Sequence, residues 1–136
     1  MSALALPAQD YVVFGSGPLL AHGLVTHVGD IDILARGAAW TRVTTLGLVE
    51  KAPDGDHVVG LANGVDIFDG WLGMDADAII DRAVRLDGLP YADLRDVLVF
   101  KQKLGRPKDE EHIRRLEGYF RRQAELQHLA LTKRFC

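Results

Sequence analysis

Three aspartates and one glycine-serine turn carry the chemistry that this sequence can do. Asp30 and Asp32 stand two positions apart in Asp30-Ile31-Asp32-Ile33. On a strand, residues two apart share a face, so both carboxylates point the same way while Ile31 and Ile33 enter a core behind them. Carboxylates held side by side repel unless a cation sits between them. Asp66 interrupts a second apolar strand, Val65-Asp66-Ile67-Phe68, where Asp66 and Phe68 share one face. If the two strands are neighbours, three carboxylates converge, an oxygen-rich set suited to a hard divalent cation. Upstream, Gly15-Ser16-Gly17 follows the apolar run Tyr11 to Phe14. Such a turn lets backbone and hydroxyl approach a phosphate closely. Together these are the parts of metal-assisted phosphoryl chemistry.

A basic segment adds to them. Leu94, Val97, Leu98, Lys101 and Leu104 follow helical spacing, which sets Lys101 beside an apolar stripe. A lysine there must snorkel to water or meet an anion. Arg106 and Lys108 follow at the helix break and contribute to the same field, and Asp109 caps the next helix.

Elements that position these residues can be read from periodicity and punctuation. Tyr11 to Phe14 and Asp30 to Ala35 are predicted strands. A short helix opens near Pro18 and stops near Gly23, and another covers Ala38 to Leu46. Leu48 to Lys51, Val58 to Leu61 and Val65 to Phe68 form a three-stranded antiparallel meander, turned by Pro53 to Asp56 and by Asn63-Gly64. A helix is expected through Ile79, Ile80, Ala83 and Val84, capped by Asp75 or Asp77 and stopped by Gly88. Further helices run from Asp93 to Leu104 and from Asp109 toward Leu129. The order suggests an α+β fold, a mixed β-sheet flanked by helices with C-terminal helices, rather than a doubly wound sheet.

Composition sets the outer bounds. The 136 residues suffice for one domain with a proper core, and 48% hydrophobic with 26% charged residues is the balance of an ordinary globular protein. The net charge of −3 gives no support for a general binder of nucleic acid or anionic membrane. No stretch approaches the ~20 apolar residues of a membrane helix. The start, MSALALPAQD, lacks the pattern of a signal peptide, and the single cysteine, Cys136, cannot form an internal disulfide, so a cytoplasmic setting is expected. His22, His27, His57, His112 and His128 show no zinc-site spacing, and Trp40 and Trp71 read as core or rim aromatics.

The three features together resemble the nucleotidyltransferase superfamily, the DNA polymerase β-like fold. That family's pattern is a Gly-Ser turn opening a helix, a DxD strand, and a third carboxylate on a later strand. Gly15-Ser16, Asp30-Ile31-Asp32 and Asp66 match it. Lys101 to Leu116, KQKLGRPKDEEHIRRL, is similar to the helix junction of small bacterial nucleotidyltransferase-like proteins related to abortive-infection toxins. The resemblance covers about Tyr11 to Leu116, with a last helix to about residue 131. It implies transfer of an NMP from a nucleoside triphosphate to a hydroxyl or phosphate acceptor, with Mg2+ or Mn2+. Asp30, Asp32 and Asp66 would be the catalytic and metal-ligating residues, with Asp66 activating the acceptor. Gly15, Ser16, Lys101, Arg106 and Lys108 would bind the nucleotide. The acceptor, whether RNA, protein or small molecule, stays open. The short tail leaves it to a partner protein or the second subunit of a homodimer. Thr26-His27-Val28-Gly29 departs from the family's Arg and Ser or Thr before the first acidic residue, so that a phosphate contact is either missing or supplied by His27. That departure favours the alternative function, a catalytically weak antitoxin or regulatory binding module of the same fold.

Overall fold

The computed structural model describes residues 6–52, 56–70 and 73–135. Next to the central strand of its sheet lies a short strand, β1 (Tyr11–Phe14), whose β-branched and aromatic residues are all buried. The left-handed Gly15 breaks it, with φ of 63°. Helix α1 (Gly17–Ala21) follows with Pro18 in its first turn, where the missing N–H is no loss. Strand β2 (Ile31–Ala35) returns antiparallel to β1.

Helix α2 (Gly37–Val43) ends earlier than the expected Leu46. Thr44 and Thr45 turn their hydroxyls onto the carbonyls of Thr41 and Arg42, both at 2.7 Å, and close the helix there. The meander is present as β3 (Val49–Lys51), β4 (His57–Leu61) and β5 (Val65–Phe68), antiparallel in sequence order. Gly64, at φ 74°, makes the turn into β5. Most of the expected turn at Pro53 to Asp56 lies outside the described residues, as does Trp71.

One expectation is overturned. Helix α3 (Ala76–Asp81), capped by Asp75, stops short of Val84. Val84–Leu86 is instead a strand, β6, which pairs antiparallel with β7 (Leu89–Tyr91). Asp87 and Gly88 are both left-handed, at φ 51° and 81°. A two-residue Asp-Gly loop of that kind matches the twist of a hairpin, so Gly88 turns a hairpin rather than stopping a helix. Helix α4 (Leu94–Leu104), with Asp93 at its N-cap, ends at the left-handed Gly105. A 3-10 turn, Pro107–Asp109, leads into the long helix α5 (Glu110–Phe135).

The seven strands form one mixed sheet in the order β3-β4-β5-β2-β1-β7-β6. Strands β2 and β5 are parallel and adjacent, as are β1 and β7. Each face of the sheet carries its own core. Val12, Phe14 and Leu34 pack with α3, α4 and Leu116 of α5. Tyr11, Ile33, Val59 and Ile67 pack against α2, with Trp40 at the rim. Phe14 meets Phe100 of α4 edge-on, ring centres 5.0 Å apart, which fixes α4 over the end of β1. No helix among the described residues is long and apolar enough to cross a membrane.

Candidate active site

Strand register decides where the aspartates go. In the parallel pair, Asp32 lies directly beside Asp66, flanked by Ile31 beside Val65 and Ile33 beside Ile67. Alternation sends Ile33 and Ile67 into the α2-side core and leaves Asp32 and Asp66 on the opposite, helical face. Asp30 immediately precedes β2, where the Ile31 N–H donates to the Gly64 carbonyl at 2.9 Å. All three line one cleft of about 540 Å³ at the end of the sheet where β1 stops and β2 and β5 start.

Each carboxylate lies over a glycine. A Cβ on Gly15 would come within 2.6 Å of Asp32 Oδ2. One on Gly60 would sit 3.2 Å from Asp66 Oδ1, and one on Gly64 3.2 Å from Asp30 Oδ1. The glycines of three different turns and strands therefore make room for three carboxylates. Sequence reasoning assigned Gly15 to phosphate approach and Gly64 to a hairpin, and overlooked Gly60. The signal was there: a glycine inside a strand marks a place where something approaches closely.

Asp32 is the most perturbed of the three. Burial, then the charges of Asp66 and Asp30, push it up to about 6, against the smaller opposing pull of Lys101 and Arg106. None of the three carboxylates makes a salt bridge among the described residues. Nor do any three His, Cys, Asp or Glu side chains among the described residues stand gathered as a ready-made metal cluster. Like charges hold one another apart unless a cation lies between them. The donor set fits a hard divalent ion all the same: oxygen ligands only, two on paired strands, in a cleft roomy enough for the waters that magnesium keeps.

The other wall comes from the α4–α5 junction. Lys101, on the last turn of α4, is only 2% exposed, and Asp109 only 1%. The Lys101 amine donates to Ser16 Oγ at 3.1 Å and lies 3.5 Å from Asp109 Oδ1. Arg106 donates to both oxygens of Asp109, from Nε at 2.7 Å and from the guanidinium end at 3.1 Å. Burial pulls Lys101 below the ordinary lysine range, with Asp109 and Asp32 opposing. Burial alone would raise Asp109, but Arg106 and Lys101 hold it below its usual value. The anion predicted to meet Lys101 is thus resident in the chain. Asp109 serves the 3-10 turn, accepting from the Arg106 N–H at 3.3 Å, and at the same time neutralises two cations.

The structure brings together Ser16, Asp30, Asp32, Asp66, Lys101, Arg106 and Lys108 around the cleft, and sets Gly15 directly against Asp32. Lys108 is exposed at the rim. His27 is exposed and does not line the cleft; its ring faces Thr26 Oγ1 at 3.4 Å. His112, which sequence reasoning set aside, does line it. Its Nδ1 lies 3.4 Å from Ser16 Oγ. His112 follows three residues after Asp109, one helical turn, which places it on the same side of the junction.

An acidic end of the sheet and a cationic helix junction thus face one cleft, and no family model, curated protein or solved structure matches the chain that carries them.

Proposed function

We propose that the protein is a metal-dependent nucleotidyltransferase, moving an NMP from a nucleoside triphosphate to a hydroxyl or phosphate acceptor. The in-register pair of Asp32 and Asp66, facing a cleft whose other wall carries Lys101 and Arg106, is the observation that carries this reading. Carboxylates and cations in one cleft suit a substrate that arrives as a polyanion with its counter-cation. Asp30, Asp32 and Asp66 would hold Mg2+ or Mn2+. Such an ion, when bound, neutralises charge on the phosphates and stabilises attacking and leaving oxygens.

The chain's own residues have distinct parts. Lys101 and Arg106 attract the phosphate chain, and the buried Asp109 keeps both from repelling each other. Ser16 offers its hydroxyl at the end of β1, beside Lys101. Gly15 lets Asp32 lie close under the turn. Asp66, partly exposed beside Asp32, would take the proton of an attacking hydroxyl. Asp32 must be ionised to act as a ligand, so a metal ion competes with its proton and binds more tightly as pH rises. Incubation with each labelled NTP, Mg2+ and candidate acceptors tests the reading. Label transfer that depends on Asp32 supports it; no transfer and no metal-dependent nucleotide binding removes it.

A second reading, a regulatory binding module, has its own support. Residues 121–133 of α5 are all exposed, with Leu126, Leu129 and Leu131 each more than half exposed. Such a stretch is suited to a homodimer or a partner protein. Sedimentation of the purified chain, with and without Leu126→Glu, separates self-association from a monomer.

A further inference from the structure

We infer that His112 is a further polyphosphate-binding residue of the cleft, one that takes up a proton when a phosphate chain binds and thereby frees the Ser16 hydroxyl to face the ligand. The inference deepens the nucleotide-binding reading of the same cleft and rests on it for the identity of the natural ligand.

The argument starts from the donors and acceptors around Ser16. Its oxygen accepts from the Lys101 amine at 3.1 Å. Its own proton then has His112 Nδ1, 3.4 Å away, as the nearby acceptor. That bond requires a neutral ring with its proton on Nε2. The surroundings favour the neutral ring. Burial lowers the basicity of His112, and the Lys101 charge lowers it further. Arg115 acts in the same direction, while Asp109 and Glu111 oppose. In this state the hydroxyl proton of Ser16 is spent on His112.

A phosphate chain entering the cleft changes the balance. It adds several negative charges beside a ring that already feels Lys101. An anion close to an imidazole favours the imidazolium. Both ring nitrogens then donate. Nδ1–H now gives its bond to Ser16 Oγ, which accepts from Lys101 and His112 together. The hydroxyl proton of Ser16 is left to point at the ligand. The proton taken up comes from solvent, and no covalent bond is made or broken. A polar ring bonded to Ser16 at the mouth of the cleft thus becomes a cation only when an anion is present.

The test uses the full chain, chelator-treated, with inorganic tripolyphosphate as probe. The titration midpoint of the His112 ring is followed by NMR with and without probe, its resonance assigned by loss in His112→Gln. Binding of the probe is measured in parallel from pH 6 to 8 for both proteins. The expected result is a midpoint raised by about one unit. Probe affinity then falls from pH 6 to pH 8 by roughly threefold more in the native protein than in His112→Gln, which subtracts the probe's own titration. A midpoint that stays or falls, an unchanged pH dependence in His112→Gln, or no binding of the probe overturns the inference. Neither measurement involves turnover. Proton uptake without label transfer would remove the transferase reading alone, and transfer without proton uptake would remove only the role of His112.

Discussion

The two walls of the cleft treat charge in opposite ways. At the end of the sheet, Asp32 and Asp66 sit side by side with Asp30 nearby, and no resident cation makes a salt bridge to them among the described residues. At the helix junction, Lys101 and Arg106 share Asp109, and the network closes on itself. Under the proposed function, the unpaired acidic group is the side that a cation would complete. A paired cationic group is a finished structure that holds its shape before any ligand comes. On the proposed reading, the difference teaches where binding energy would reside: the acidic wall would gain most from an ion, while the cationic wall supplies geometry fixed in advance.

The sharpest way to break this contrast is at Asp32. Asp32→Ala is expected to lower label transfer by on the order of a thousandfold, the scale of several kcal/mol of transition-state stabilisation. The circular dichroism spectrum should not change. Full activity in that variant would mean that the acidic edge is not the site.

The next largest effect is expected on the opposite wall. Asp109→Asn leaves the buried Lys101 and the Arg106 guanidinium without their shared anion, at a cost of roughly 3–5 kcal/mol in urea unfolding. The pH dependence has a defined sign. Asp109 is held below its ordinary value in the fold, so its contribution is present above the usual carboxylate range and is lost as pH falls through the depressed native value. A cost below about 1 kcal/mol, the scale of a surface pair, would show that the network is not structural.

Asp32 should behave in the reverse sense. Its native value of about 6 lies above the ordinary 3.8, so the fold binds that proton more tightly than the unfolded chain does. Stability attached to Asp32 is therefore greatest at low pH and declines as pH rises from 3.8 to 6. Asp32→Asn is expected to stabilise the protein by on the order of 2–3 kcal/mol above pH 6, with the gain fading on acidification. Thermal unfolding at pH 4 and pH 7.5 measures it. A variant less stable than the native chain at pH 7.5 would mean that Asp32 is already compensated.

A smaller change tests the spacing between the walls. Gly15→Ala puts a Cβ in the left-handed region and against Asp32 Oδ2. About 1–3 kcal/mol of stability should be lost. Metal-dependent nucleotide binding should weaken with it. If binding is untouched, Gly15 serves the turn alone. The smallest effect is expected outside the cleft, where Asp75 accepts from the Ala78 N–H at 3.2 Å as the cap of α3. Asp75→Ala should cost about 1 kcal/mol and leave nucleotide binding unchanged.

Much of the acidic wall was legible in the sequence because strand alternation is a strict rule. The spacing of Asp30, Asp32 and Asp66 against their isoleucines named the face before any strand pairing was known. What the spacing left open was that β2 and β5 are neighbours and parallel, which depends on the long connection through α2, β3 and β4. The cationic wall was legible only in part. Helical spacing puts Lys101 on an apolar stripe, yet its partner depends on how the 3-10 turn folds back, and in sequence Asp109 has the look of a simple cap. His112 has no metal-ligand spacing to mark it, and its place beside Ser16 depends on the packing of the helix that starts at Glu110. The β6–β7 hairpin was missed for a local reason. Asp87-Gly88 carries a hairpin signal, but the apolar spacing from Ile79 to Val84 suggested a continuing helix.

The contrast between the walls is tested most directly by Mn2+ binding in the presence of a non-hydrolysable nucleoside triphosphate at pH 7.5, followed by the paramagnetic signal of the ion. The native chain is expected to bind Mn2+, and Asp32→Asn and Asp66→Asn are each expected to lose that binding while His57→Gln keeps it. Equal Mn2+ affinity in the native protein and both aspartate variants would contradict a cation site at the paired strands.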